Sequence, residues 1–326
     1  MTQTLPALPR GPRGLRTLRP TGTVWAALRL HRIALGAWFV VVLATTVLLL
    51  WLHGPGADAA ARHLAACATP HCELAGSAYA RYDQLLRLVG TLIGATPYIA
   101  ALFMGVVCVG RELERGTAQL AWVQSVSPTR WLATTLAVPA AWFLAGTVPL
   151  VVLHRLAWAA GPSPLTPWYD TDLYVGTGPV ALSRVLLGLA VGALGGVLFR
   201  KALAGGVAGV AALLVTGWLS TRYRVSLWPT VTDHGRTPQT GPPDAQALRY
   251  DAVTKDGELV TNNMACADAG NGAELKHCAR GFQDFSVTYH PSSHYWPLQL
   301  TESALILTLT ALAAAAAFTI LRRRTR

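Results

Sequence analysis

Lysine is almost missing from this chain, and charge of either sign is sparse. Only Lys201, Lys255 and Lys276 occur among 27 basic residues, and 13% of the 326 residues are charged. A soluble domain is about a quarter charged, so the composition argues against a soluble protein. At 52% hydrophobic, it points to a membrane. The lysine shortage has a second consequence. A phosphate-binding P-loop places lysine directly after glycine, whereas these three follow Arg200, Thr254 and Leu275. The chain carries no such loop, and any nucleotide hydrolysis belongs to another chain. Gly-x-Ser-x-Gly and His-Glu-x-x-His are absent too, which removes two well-marked hydrolase signatures. The abundance of Arg, Ala and Gly reads as coding bias of a GC-rich genome.

Long uncharged runs are present instead. They cover 33–52, 88–110, 131–153, 185–199, 202–221 and 303–321. About 20 helical residues cross a hydrocarbon core roughly 30 Å thick. The fourth run is interrupted only by Arg184, so its span is taken as 180–199, with the arginine near one face where it can snorkel. A net charge of +11 would suit nucleic acid, but the charge is distributed by side. With the N-terminus inside, segments 1–32, 111–130, 200–201 and 322–326 hold 15 basic residues against Glu112 and Glu114 alone. The other segments hold 12 basic and 14 acidic residues. Arg and Lys are retained on the cytoplasmic side, so both termini are expected in the cytoplasm.

This divides the chain into a disordered basic tail (1–22), a transmembrane domain (23–221), an extracytoplasmic domain (222–299) and a sixth span with a basic cytoplasmic tail (300–326). A helix beginning at Thr23 would place Trp25, Arg29 and Arg32 on one face, suiting the inner headgroup layer. A plain inward extension of the first span is the alternative. Ala57-Asp58-Ala59 resembles a signal cleavage site, but the 33–52 run exceeds the about 7–15 apolar residues of a signal core. In the outer domain, Asp256-Gly257 between two β-prone stretches predicts a small hairpin with a two-residue turn. Cys67 and Cys72 fall in one outer loop, Cys266 and Cys278 in another, an even number compatible with disulfides in an oxidising compartment. Pairing within each loop is preferred because short loops close easily. Three connectivities are open, and free thiols are the alternative.

Inside the membrane, Gly188, Gly192 and Gly196 repeat every four residues, as do Gly205 and Gly209. That spacing permits close helix approach, and only Arg200-Lys201 separates the two spans, so a tight antiparallel hairpin is expected. Pro97, Pro139 and Pro149 remove backbone donors from the second and third spans. Arg184 and Glu302 lie near the outer ends of the fourth and sixth spans. They can pair across the helices or snorkel separately.

The charged joint between the second and third spans reads Arg111-Glu112-Leu113-Glu114-Arg115-Gly116-Thr117. Gly116 suits a helix end, Thr117 an N-cap for a short helix over 118–124, and Ser127-Pro128 an N-cap and first helical residue. A short stiff helix pinned between two spans is expected, with an ordinary interfacial connector as the alternative reading.

This run, followed by Leu120-Ala-Trp122, Gln124-Ser-Val-Ser127 and Arg130-Trp131-Leu132, resembles permease subunits of ABC type-2 exporters of actinobacterial type. The six-span order with a larger outer segment before the last span matches as well, while Pro128 stands where relatives often carry a basic or polar residue. The resemblance implies an interfacial N-terminal helix, two permease subunits per transporter, and a cytoplasmic ATP-binding subunit carrying ATP and Mg. It implies an ATPase-coupling role for Glu112, Glu114, Arg115, Gly116, Thr117, Leu120 and Trp122. No cofactor, metal or nucleic acid is expected on this chain.

Two rival classes are an integral membrane enzyme and a membrane scaffold or sensor with a ligand-binding outer domain. His290 and His294 have helical ligand spacing, but Pro291 lies between them with no adjacent carboxylate. The expectation is an all-α integral membrane protein with six transmembrane helices and a small disulfide-containing α/β or β-hairpin outer segment. Its expected role is the permease of an ATP-driven exporter.

Overall fold

A computed structural model describes residues 29, 32–67, 76–123, 126–162, 166–235, 241–261 and 280–325. Within these, six helical rods are long and apolar enough to cross a bilayer: Arg32–Ala66, Ala78–Glu114, Pro128–Ala160, Pro179–Phe199, Ala202–Ser226 and Ser292–Thr325. Each expected span lies inside one of them. Several rods overrun the apolar run because helical hydrogen bonding satisfies the backbone past the bilayer, where charged side chains reach water.

The first rod comprises α1 (Arg32–Trp51), a π-helical turn (Leu52–Gly56) and α2 (Ala57–Ala66). Pro55 sits in the wide turn, a place where a residue lacking a backbone donor is tolerated. Among the described residues, the connection after the first span is therefore largely helix. The second rod is α3 (Ala78–Leu102), a π-helical stretch (Phe103–Gly110) and α4 (Arg111–Glu114). Ser77 starts α3 by accepting from Ala80 N at 3.1 Å. After a break, α5 (Thr117–Val123) precedes α6 (Pro128–Ala160), which runs through both Pro139 and Pro149. A short α7 (Thr171–Gly176) leads to α8 (Pro179–Phe199), α9 (Ala202–Tyr223) and finally α10 (Tyr295–Thr325).

Helix α8 is the hub, with apolar residues on every side, as suits a helix with protein all round it. Its glycine stripe does more than close the expected hairpin. A methyl group on Gly188 would fall 2.3 Å from Pro97 O, and one on Gly192 2.4 Å from Ala101 O, so the stripe also admits the second rod. The other edge meets α9, where a methyl on Gly209 would come 3.0 Å from Gly192 Cα. By contrast, α1 and α9 leave large apolar side chains such as Phe39, Val40, Val207 and Trp218 exposed on the isolated chain. Those surfaces need lipid or protein around them.

Between α9 and α10 lies a four-stranded antiparallel sheet, a correction to the expected hairpin alone. It comprises β1 (Val231–Gly235), β2 (Gln246–Thr254), β3 (Leu259–Thr261) and β4 (Phe282–His290), in the order β1-β4-β2-β3. Phe285, Val287 and Tyr289 alternate into its buried side. The β2–β3 hairpin is present, pairing Asp251 with Thr261, but its turn differs from expectation. Gly257 N donates to Thr254 O at 3.0 Å, which puts Lys255-Asp256 at the corner and Gly257, at φ +83°, after it. Glycine is needed for the residue that returns the chain to the strand.

Candidate functional site

Three functional candidates converge on the ends of the rods. The first is the joint. The second rod ends at Gly116, whose φ of +73° stops the helix. Ser127 then caps α6, accepting from Arg130 N at 3.3 Å, with Pro128 in the first turn. Thr117 differs from the expected N-cap: it is the first residue of α5, and its hydroxyl donates back to Glu112 O at 3.2 Å. Gln119 N bonds Gly116 O at 3.0 Å, so the helix is opened by the glycine carbonyl.

The two acids of the joint hold neighbouring rods. Glu112 accepts from Trp131 Nε1 at 3.1 Å, tying the second rod to the third. Glu114 accepts from Ala202 N at 2.8 Å, where α9 begins without a side-chain cap of its own. A carboxylate there satisfies an orphan donor and meets the positive end of the helix dipole. The opposing helix end is treated in the opposite sense. Arg324 donates to Val197 O at 2.7 Å and Leu198 O at 3.0 Å, closing the carbonyl end of α8. Joint, 200–201 turn and C-terminal tail thus share one end of the molecule.

On α5, Ala118 is buried and Trp122 packs edge-on against Trp131 at 5.9 Å between centroids. The outer side of α5 carries Leu120, 65% exposed, and Val123, 87% exposed. Arg115 is exposed as well.

The second candidate is a buried charge cluster at the sheet-side end. Glu302, 2% exposed, accepts from Arg184 Nη2 at 2.9 Å and Arg224 Nε at 3.2 Å. Ser220 donates to the same carboxylate. Arg224 is 6% exposed, with its guanidinium carbon 4.0 Å from the Tyr174 ring centroid and one terminal nitrogen lacking an acceptor. Arg184 and Glu302, separable in sequence, are brought together. Sequence reasoning misses Arg224, which comes after the fifth apolar run, where an arginine is ordinary.

The third is a cavity of about 520 Å³ on the same side, lined by Tyr82, Arg155, Trp158, Trp168, Tyr295 and Trp296 among others. Nothing in the sequence pattern singles these residues out, because they come from four separate segments. Of the cysteines, Cys67 terminates α2 with its sulfur 3.5 Å from His63 Nε2. Cys72, Cys266 and Cys278 lie outside the described residues, as does most of the expected N-terminal helix. His290 and His294 are bonded to each other, Nδ1 to Nδ1 at 2.9 Å, and His290 Nε2 contacts Val225 O at 2.9 Å. The pair anchors β4 to the end of the fifth rod. Among the described residues no group of three His, Cys, Asp or Glu side chains is arranged to hold a metal.

A bundle of six rods long and apolar enough to cross a bilayer is the architecture of a multi-pass membrane protein. A family model described as ABC-2 membrane transporter related matches residues 39–226. The chain belongs to that family, and the matched region takes in the first rod from Phe39 onward, the next four rods, the joint, Arg184 and Arg224. No curated protein and no solved structure matches the chain. The family and the six rods together make it a multi-pass membrane protein and a transporter permease.

Proposed function

We propose that this chain is the membrane-spanning permease of an ATP-driven exporter, with the α4–α5 joint receiving force from a cytoplasmic ATP-binding subunit that carries ATP and Mg. The observation that carries the reading is the outward side of α5. Leu120 and Val123 are three residues apart, both exposed, on a helix whose other side is pinned to the third rod. An apolar pair presented by a rigid helix outside the apolar spans suits a protein groove. The anchors on the inner side supply a path for displacement. Pushing α5 moves Gly116 and the second rod, and Glu112 and Glu114 carry that movement to Trp131 and to the start of α9.

The charge distribution along the sequence supports placing this end in the cytoplasm, because the joint, the 200–201 turn and the terminal segments together hold 15 of the 27 basic residues. The exposed apolar flanks of α1 and α9 leave room for a second permease, identical or different, beside lipid. The experiment is purification of the full chain from its own membranes, alone and as the Leu120→Asp, Val123→Asp double variant. The native chain should bring down an ATP-binding subunit, and the variant should lose it while staying membrane-inserted. Equal recovery from both would refute the docking role of α5.

A further inference from the structure

The sheet-side cavity has walls of an unusual kind. Tyr82 OH donates to Ala157 O, Trp158 Nε1 to Thr166 O at 3.1 Å, and Trp168 Nε1 to Asp244 O at 2.8 Å. The polar edge of each ring is therefore tied to backbone, which fixes the ring and turns its chemistry toward apolar contact. Among the described residues the cavity has one cationic lining residue. Arg155 is stacked 4.5 Å from the Trp296 centroid and 5.0 Å from that of Tyr295. Among the described residues no carboxylate lies within ion-pair distance of it, whereas Arg87 nearby has both Asp83 and Asp170. Asp244 also lines the cavity, but it is exposed. A volume of about 520 Å³ falls among those that hold a drug-sized molecule.

We propose that this cavity binds an amphiphilic anion, with a carboxylate, sulfonate or phosphate at Arg155 and an apolar body against Trp158, Trp168 and Trp296. A planar guanidinium held over aromatic rings keeps donors for a forked anion, and the ring faces supply the contact for a flat or flexible body. The anion can come from the membrane, as a lipid, or from solution. The inference goes beyond the permease reading and does not depend on it: a chain that engaged no ATPase would still bind the anion.

The test uses full-length protein in phosphatidylcholine nanodiscs and photolabelling with 4-benzoylbenzoate, with its uncharged amide as comparator. Adducts are mapped by peptide mass spectrometry. The carboxylate should label 155–168 and 292–296 at about tenfold lower concentration than the amide, the advantage of one charge-assisted contact. Arg155→Gln should erase that advantage, Arg155→Lys should keep only the part owed to charge without the fork, and Arg87→Gln should leave it intact. Adding phosphatidylglycerol distinguishes the sources: suppressed labelling identifies a lipid anion, unchanged labelling a soluble one, and either supports the site. Equal labelling by carboxylate and amide, or adducts scattered along the apolar spans, overturns the proposal on wild-type protein alone, even where Arg155→Gln does not fold.

Discussion

Glu302 binds two arginines with one carboxylate at a site 2% exposed. Glu302→Gln keeps the shape and removes the charge, leaving two guanidinium groups uncompensated. Breaking such a buried pair costs about 3–5 kcal/mol, so the variant should unfold at a markedly lower temperature in detergent. Removing one cation at the same time, as Glu302→Gln with Arg224→Met, should recover part of the loss. If the double variant is less stable than Glu302→Gln alone, Arg224 is not coupled to the carboxylate. Two of the three charges are legible, because a charge directly at the edge of an apolar run stands out. Arg224 is not, since its burial comes from the Tyr174 ring and the α10 carboxylate, neither of which is near in sequence. The cavity fails to show for the same reason. Its tryptophans come from separate segments of the sequence and meet only in the fold.

Among the elements, the helix contacts offer a clean comparison. A methyl at Gly192 meets Ala101 O, while one at Gly36 meets nothing within 4 Å. Gly192→Ala should destabilise by about 1–3 kcal/mol through overpacking, and Gly36→Ala should be neutral or stabilise by about 0.5–1 kcal/mol. Thermal unfolding of the two variants side by side reads this directly, and equal shifts would contradict the close approach of α8 to the second rod. Glu114→Ala, which strips the cap from α9, should cost about 1 kcal/mol and speed amide exchange at the start of that helix. The joint's boundaries are legible because Gly116 and Ser127-Pro128 act on their own backbone. Thr117 falls one residue inside the helix it is expected to cap, as happens when helix ends are read without their hydrogen bonds. The hairpin is located correctly, but a type of turn depends on which strand residues pair, and that pairing is set by β4.

For the whole molecule, orientation is the decisive property. Gln119 is exposed on the joint, so a cysteine placed there should react with impermeant maleimide only after the membrane is opened or inverted. Labelling of intact cells would put the joint on the outer side. Replacing Glu112 and Glu114 together should leave insertion intact and abolish transport-linked ATP turnover in the purified assembly, and unchanged turnover would remove both acids from the force path. The rods and their count are legible from apolar runs alone, because a bilayer demands a fixed length. The sheet is legible only in part, since its long-range pairing leaves a weak local mark.

The π-helical stretch at Phe103–Gly110 sets the azimuth of the joint beyond it. Each α-helical residue advances the chain by about a quarter turn, 3.6 residues making a full one, and a wide turn takes in an extra residue without the matching rotation. Deleting a single residue such as Val107 would remove that extra residue and let the stretch wind regularly with little change of phase, so Glu112 should stay on Trp131 and Glu114 on Ala202. Deleting one from the regularly wound α3 instead would turn everything beyond it by about 100° and part both contacts. These eight residues thus hold one residue in reserve, and the rod tolerates a change of length there that it would not tolerate elsewhere.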